Sequence, residues 1–288
     1  MRVGIVILPE DRWWAAEPKW RAAEEYGFAH AWALDRPGPP ASPEGPWFAA
    51  VPTLAAAALV TGRIRLGTFL TTPDLRHPVP FARELLTLDD LSDGRLTATL
   101  GPGAGPAGPG GEPLGPADRA ARFGEFADLL DRLLAQDRTT ARGRFYAADD
   151  ARSAPGCVQR PRLPFVVAAD DPATMAVAAR RGAGWLTEGP AAADDDAWWR
   201  GVARLVERFD EVLPAGGRAG FGRYLSADAG PVYSLTSVER FRDVVGRAAE
   251  LGFSDVVVHW PGDDGRYAGR EQVLEQVAAD VLPGLVTP

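Results

Sequence analysis

The feature that most constrains the fold of this chain is an alternation of short apolar runs with helical patterns. It is clearest between residues 63 and 100. Apolar and β-branched residues at 64–70 predict a buried strand, residues 78–91 repeat apolar side chains at helical spacing, and residues 95–100 predict a second strand. Two strands joined through a helix are expected to run parallel, so this stretch predicts a βαβ unit.

Eight strands are predicted along the chain, each followed by a helix. They cover residues 2–8, 29–34, 64–70, 95–100, 165–169, 184–187, 220–226 and 255–259. This strict alternation over 288 residues predicts an α/β fold, a single (β/α)8 TIM barrel covering residues 1–288, with a doubly wound sheet as the alternative. Residues 136–163, which follow the fourth helix, are rich in arginine, proline and glycine. They are predicted to form an irregular insertion with a short extended piece at 143–146.

Composition argues against several classes of partner. The formal net charge of −8 argues against a nucleic acid and against an anionic membrane surface. No apolar run reaches the roughly 18 residues that a membrane span needs, and the first residues read as a strand rather than a signal peptide. Cys157 is the single cysteine, so neither an intrachain disulfide nor a cysteine metal cluster is expected. The sequence therefore predicts a cytoplasmic protein that acts on a small molecule.

In a barrel of parallel strands, the loops that follow the strands build the active site. This rule selects candidates at the strand ends: Glu10, Trp13, Asp35, Thr68, Thr71, Gly101, Asp170, Glu188, Ser226, Asp228 and His259. Each of them could instead form a cap or a turn. An imidazole at position 259 could act as a general acid or base, and Asp35 could orient a polar ligand or an arginine.

Two familiar motifs receive less weight. The glycines at 103, 105 and 108 match G-x-G-x-x-G after a strand, but prolines interrupt the motif and the next helix begins too late for a dinucleotide site. The stretch is therefore interpreted as a glycine- and proline-rich loop. The three histidines lie on different predicted elements, which gives no support to a metal site.

Several strings of the sequence resemble the bacterial luciferase-like monooxygenase family, which uses FMN or the deazaflavin F420. They are RIRLGTFLTTP, FARELLTLDDLSDGRLTATLGPG, AEEYGFAHAWALD and LPFVVAADDPATMAVAARRGAGW. The resemblance implies a (β/α)8 barrel with the cofactor ring at the carboxyl end of the strands. It also implies a non-proline cis peptide behind the ring, at Phe69-Leu70. Many members form dimers, so the resemblance allows a homodimer.

The resemblance also implies roles for individual residues. The implied cofactor-binding residues are Thr68, Phe69, Leu70, Gly101, Asp170 and Asp171. Asp35 falls where deazaflavin-using members carry the aspartate of an Asp-His pair, and Arg36 takes the place of the histidine. An acidic residue that some members carry after the fourth strand falls at Ala104.

The loop after the fifth predicted strand departs from the family pattern. Relatives present small residues there, so that backbone N–H groups at a helix N-terminus hold the cofactor phosphate. This chain has Asp170-Asp171-Pro172 instead. Two carboxylates repel a phosphate, an aspartate at the cap would use the same N–H donors, and proline removes one donor.

These observations lead to two main hypotheses. The first is a flavin- or F420-dependent oxidoreductase that acts on a small organic substrate by hydride transfer or monooxygenation. In it, Asp35 and His259 are catalytic, and the substrate pocket is formed by Trp13, Trp47, Trp260 and Glu188. The second is a member of the same family that has lost the cofactor, and either performs acid–base chemistry or only binds a ligand or partner. An unrelated sugar- or phosphate-processing barrel is a third, weaker alternative.

Overall fold

Eight parallel strands close into a barrel in the computed structural model, which describes residues 1–36, 45–103, 114–213 and 220–285. The barrel strands are β1 Arg2–Ile7, β2 His30–Leu34, β3 Arg65–Thr71, β4 Leu96–Leu100, β7 Phe165–Ala168, β8 Gly184–Thr187, β9 Gly222–Ser226 and β10 Asp255–His259. They pair in the order β1-β2-β3-β4-β7-β8-β9-β10, and β10 pairs with β1 to close the ring. The predicted barrel is confirmed, and the doubly wound sheet is excluded because a closed sheet has no edge strands.

A helix follows each barrel strand and packs against the outside of the ring. The helices are α1 Trp13–Glu25, α2 Ala50–Val60, α3 Pro78–Leu91, α4 Pro116–Ala135, α5 Pro172–Arg181, α6 Asp195–Val212, α7 Val238–Glu250, α8 Glu271–Asp280 and the short α9 Leu282–Leu285. Their apolar stripes join the outward-facing strand residues in one large buried cluster. In the described part of the chain, no helix is both long enough and apolar enough to cross a membrane.

The insertion after α4 is more regular than the sequence suggested. Residues 138–152 form an antiparallel hairpin of β5 Arg138–Arg142 and β6 Ala147–Arg152, and the predicted extended piece at 143–146 is the connection between them. The carboxylate of Glu125 on α4 accepts hydrogen bonds from the backbone N–H groups of Arg144, Phe145 and Tyr146. These strands were missed because both are mostly exposed and carry arginine, alanine and aspartate instead of an alternating apolar pattern.

Alternation along each strand decides which side chains point into the barrel. A compact interior cluster contains Val6, Trp32, Leu34, Phe69, Val166, Ala168, Leu186 and Val257. The residues next to them in sequence, such as Ile7 and Ala33, belong to the outer cluster between strands and helices. Whether a side chain just beyond a strand points into the barrel or out of it therefore depends on how many sequence positions separate it from the last interior residue.

A chain of polar contacts, buried except for Arg2, lies at the amino end of the barrel. Arg2 pairs with Asp255 at 2.7 Å, and the other carboxylate oxygen of Asp255 lies 3.1 Å from Nε2 of His30. Nδ1 of His30 accepts a hydrogen bond from the indole N–H of Trp32 at 2.6 Å. Because Nδ1 accepts, Nε2 carries the proton and the imidazole is neutral. Burial lowers the pKa of His30, which agrees with this neutral state.

Gly4 of β1 leaves the space that the ring of His30 occupies. A Cβ atom at this position would lie 1.8 Å from Nδ1 of His30. We therefore expect Gly4→Ala to lower the free energy of unfolding by about 3 kcal/mol, since overpacking a closed core forces the backbone to move. Urea unfolding would measure the change.

Gly62→Ala is the matched control, because a Cβ atom there would meet nothing within 4 Å. The two variants differ only in what the added methyl group contacts. Equal stability of the two would show that His30 can leave its place without cost, and would contradict the packing described above.

Candidate active site

A cavity of about 570 Å³ opens at the carboxyl end of the barrel. It lies over the ends of β1, β2, β3, β8, β9 and β10, and the segment 260–267 after β10 forms one wall. Cavities of a few hundred cubic ångströms in this position are typical of small-molecule sites. The cavity is therefore the candidate active site.

Several residues singled out from the sequence meet in this cavity. It is lined by Phe69, Glu188, His259 and Trp260, together with Glu10 and Ser226. Trp47 packs against the interior cluster of the barrel. Its indole N–H donates a hydrogen bond to the backbone carbonyl of Arg36 at 2.8 Å. Trp13 does not line the cavity, because it packs into the outer core at the start of α1.

The end of β3 has the backbone geometry that the family resemblance implies. The peptide bond between Phe69 and Leu70 is cis, as expected from the sequence. Gly101, which follows β4, is buried beside it, and a Cβ atom there would lie 3.7 Å from Cβ of Ala168 and 3.9 Å from Cβ of Leu70. The absence of a side chain at position 101 keeps the inner side of the barrel open between β3 and β7.

His259 is held by Asp228 at the bottom of the cavity. Oδ2 of Asp228 accepts a hydrogen bond from the backbone N–H of His259 at 2.6 Å and lies 3.3 Å from its Nδ1. Oδ1 of Asp228 accepts from the backbone N–H of Ser234 at 2.8 Å, so the carboxylate is fixed from both sides. A carboxylate at Nδ1 favours the tautomer with a proton on Nδ1 and leaves Nε2 as a base. Asp228 and His259 therefore form a hydrogen-bonded dyad whose geometry suits acid–base chemistry.

The segment after β10 supports this dyad. The ring of Tyr267 stacks on the ring of His259, with centroids 3.9 Å apart and an interplanar angle of 6°. The guanidinium of Arg266 donates to the backbone carbonyls of Asp228, Ala229 and Gly230 at 2.6–3.0 Å. These contacts fix both the imidazole plane and the loop that carries the carboxylate.

Charged side chains surround the dyad. Glu188 lies in the cavity, and the protein atoms around it raise the pKa of its carboxyl group, while Arg36, His259 and Arg266 act in the opposite direction. Arg36 forms no ion pair with any residue that the structure describes. Glu188 therefore brings a carboxyl group to the cavity in the neighbourhood of three basic side chains.

Asp35 lies on the other side of the barrel wall. Leu34 belongs to the interior cluster, so the next side chain points outward. Its carboxylate accepts hydrogen bonds from Nη2 of Arg76 at 2.7 Å, Nε of Arg76 at 3.3 Å and the hydroxyl of Thr71 at 2.8 Å. Asp35 does not line the cavity, and all the contacts found for it join β2 to β3 and the start of α3. The structure thus separates Asp35 from His259.

Thr68 is also directed away from the cavity. Its neighbours Gly67 and Phe69 face the barrel interior, where Gly67 leaves room for the ring of Trp32. Thr68 is fully buried on the outer side, and its hydroxyl has no hydrogen-bond partner among the described residues. Of the residues implied for the cofactor, Phe69 lies at the cavity itself, and Leu70 and Gly101 lie beside it. The position that the resemblance matches to Ala104 falls outside the described residues.

The N-terminus of α5 is occupied by an aspartate of its own chain. The side chain of Asp171 accepts from the backbone N–H groups of Ala173 at 2.9 Å and Thr174 at 3.1 Å, as the sequence predicts for a capping residue. The neighbouring Asp170 accepts from the hydroxyl of Thr187 at 2.5 Å. The donors that could hold a phosphate at this helix are thus already used, and two carboxylates lie beside them. The α5 N-terminus does not fit a cofactor phosphate.

Asp170 should make stability depend on pH. The protein atoms packed around the Asp170 carboxyl group, together with the nearby Glu188, raise its pKa to about 6, although the Thr187 hydroxyl acts in the opposite direction. The folded protein therefore holds this proton more tightly than the unfolded chain, and the resulting stability is lost as the pH rises from the unfolded pKa of about 4 through 6. The melting temperature of Asp170→Asn, relative to that of the parent at the same pH, should rise over that range and level off above it. A difference independent of pH would contradict this protonation.

The sequence reasoning missed Arg266 and Tyr267, which line the cavity. They follow the last strand by several residues in a segment rich in glycine and aspartate, which carries no helical or strand pattern. The one available signal was their place after β10, in a loop at the carboxyl end of the barrel.

With this geometry in place, comparison with known proteins assigns the family. The sequence profile of the luciferase-like monooxygenase family matches residues 15–220, well over half of the chain. The chain belongs to the luciferase-like monooxygenase family, and it is an oxidoreductase of the flavin- or F420-dependent class.

Curated relatives include F420-dependent glucose-6-phosphate dehydrogenases from two bacteria. The protein from Beutenbergia cavernae is 38% identical over 57% of this chain and 49% of its own length, so that match spans about half of the relative. The protein from Intrasporangium calvum is 30% identical over 91% of this chain and 92% of its own length. The second match covers nearly the whole barrel.

Solved structures share the fold. The coenzyme F420-dependent tetrahydromethanopterin reductase from Methanopyrus kandleri superposes with a TM-score of 0.74 at 19% identity, over 99% of both chains. An F420-dependent secondary alcohol dehydrogenase, solved with an F420-acetone adduct, gives a TM-score of 0.79 at 16% identity over 99% of both chains. At these identities the likeness establishes the fold alone.

Proposed function

We propose that this protein uses F420 to interconvert a small alcohol and the corresponding carbonyl compound. The observation that carries the proposal is the His259–Asp228 dyad at the bottom of a cavity beside the cis Phe69-Leu70 bond. F420 is favoured over FMN because the relative from Intrasporangium calvum, which matches nine tenths of the chain, is named as F420-dependent.

The ring half of the cofactor fits the described residues. Phe69 lines the cavity, Leu70 packs against the interior cluster behind it, and Gly101 leaves the inner side of the barrel free of a side chain. These three residues would hold one face of the ring. The chemistry that F420 would supply there is hydride transfer, to the ring when the alcohol is oxidised and from the ring in the reverse direction.

His259 handles the proton in this proposal. As the alcohol is oxidised, Nε2 of His259 takes the hydroxyl proton while the oxygen keeps the O–H electron pair to form the carbonyl bond. The carboxylate of Asp228 stabilises the resulting imidazolium. The stacked Tyr267 and the Arg266 contacts keep the imidazole oriented toward the cavity. In the reverse direction the same imidazolium protonates the carbonyl oxygen.

A fluorescence titration of the purified protein tests the cofactor. F420 should be quenched saturably at micromolar concentrations and FMN should not. Gly101→Ala should weaken F420 binding several-fold while the melting temperature is kept, because the new methyl group meets only ordinary contacts in the protein. If the protein quenched the fluorescence of FMN alone, FMN would take the place of F420 in the proposal. If it quenched neither cofactor, the proposal would be refuted.

A further inference from the structure

A second depression, of about 590 Å³, lies at the opposite end of the barrel from the candidate active site. It is formed where the strands begin, by the first residues of β1 and β3, by residues just before β8 and β9, and by the link that precedes β7. Five of its lining residues are arginines: Arg2, Arg65, Arg160, Arg162 and Arg181. No aspartate or glutamate is found among its described lining residues. Such a concentration of positive charge is notable in a chain with a net charge of −8.

Arg65, the first residue of β3, contacts no carboxylate among the residues that the structure describes. Its guanidinium donates to the carbonyl of Leu96 at 3.1 Å, the hydroxyl of Thr97 at 3.1 Å and the amide oxygen of Gln159 at 3.0 Å. All three acceptors are neutral. Burial, with the nearby charge of Arg2, lowers the pKa of Arg65, while Tyr224 and Asp89 act in the opposite direction. A partly buried cation without a directly contacting carboxylate is costly, and a bound anion would lower that cost.

Three of the other arginines form ion pairs with carboxylates that do not line the depression. Asp255 holds Arg2 at 2.7 Å, and Asp131 holds both Arg162 at 2.7 Å and Arg181 at 2.9 Å. These ion pairs fix the directions of the guanidinium groups before any ligand arrives. Preorganised groups lose less entropy when they bind.

Arg160 completes the rim of the depression. It is exposed and forms no ion pair with the residues that the structure describes. Its charge is therefore available to a ligand, and its removal should leave the protein fold intact.

We propose that this depression is a binding site for a small, multiply charged phosphate compound. Guanidinium groups match phosphate oxygens with paired hydrogen bonds, which is why arginine is favoured at such sites. The volume of the depression is that of a small-molecule site, and the overall negative charge of the chain disfavours a nucleic acid. The site is independent of the proposed function, because it lies at the other end of the strands.

Isothermal titration of the cofactor-free protein with inorganic pyrophosphate tests the proposal. Ionic strength is matched with sodium chloride throughout. We expect saturable binding, and we expect Arg160→Gln to weaken it by about ten-fold or more without changing the melting temperature of the ligand-free protein, since one charge-assisted contact is lost. Arg65→Met should weaken it further.

Arg208→Gln is the matched control, since Arg208 is an exposed arginine on α6 and does not line the depression. It makes the same change in net charge and should bind pyrophosphate like the parent. Absence of saturable binding would overturn the proposal. Equal affinities for the parent and Arg160→Gln would also overturn it, because the pyrophosphate would then be bound elsewhere.

Discussion

Replacing His259 with glutamine should lower kcat by about 10²- to 10³-fold, the usual contribution of a positioned general acid–base group. The side chain is buried at the bottom of the cavity, between the carboxylate of Asp228 and the ring of Tyr267, with Nε2 directed away from Asp228. Glutamine keeps a similar size but cannot take a proton at neutral pH. F420 affinity should change little, because the loss lies in the proton transfer. Steady-state kinetics and fluorescence titration on the same preparation would measure both.

Asp228→Asn separates positioning from chemistry. Asp228 reaches the substrate only through His259, so this variant should lower kcat by less than His259→Gln does, because the imidazole stays but loses the carboxylate that orients it. His77→Gln is the control: His77 is exposed at the N-terminus of α3 and does not line the cavity. If His259→Gln kept kcat within about three-fold of the parent, the dyad would have no catalytic role.

Asp35→Asn should act on stability rather than on chemistry. Asp35 is buried, and Arg76 binds both of its oxygens while only 20% of the Arg76 side chain is exposed. Removing the negative charge leaves a mostly buried guanidinium without its main partner. We therefore expect the free energy of unfolding to fall by about 3 kcal/mol, in the range for a broken buried ion pair. Denaturant unfolding would measure it.

Asp90→Asn is the control for this change, because Asp90 is exposed on α3. Its effect should remain within about 0.5 kcal/mol. The fraction of Asp35→Asn that stays folded should keep near-parental kcat. A variant with parental stability and no activity would instead support the catalytic role that the family resemblance suggested for Asp35.

The barrel could be predicted from sequence because its signals are local. Each buried strand is a short apolar run and each helix a periodic one, as the βαβ unit of β3, α3 and β4 illustrates. The cis bond at Phe69-Leu70 and the capping of α5 by Asp171 were also foreseen, the first from resemblance and the second from capping chemistry.

The directions of side chains at the strand ends were not predictable in the same way. Asp35 and His259 both follow apolar strand residues, yet alternation sends one outside the barrel and the other into the cavity. A difference of one residue in the predicted end of a strand reverses the direction. The partnership of Asp228 with His259 joins residues 31 positions apart, one just after β9 and the other at the end of the neighbouring strand β10. Nothing in the local sequence marks it.

A crystal structure of the protein with bound F420 would test the central claim most directly. We expect the deazaflavin ring in the cavity, with one face against Phe69 and Leu70, His259 on the substrate side, and the phosphate of the tail away from the N-terminus of α5. A ring bound outside this cavity would contradict it, and so would a tail phosphate on the N–H groups of Ala173 and Thr174.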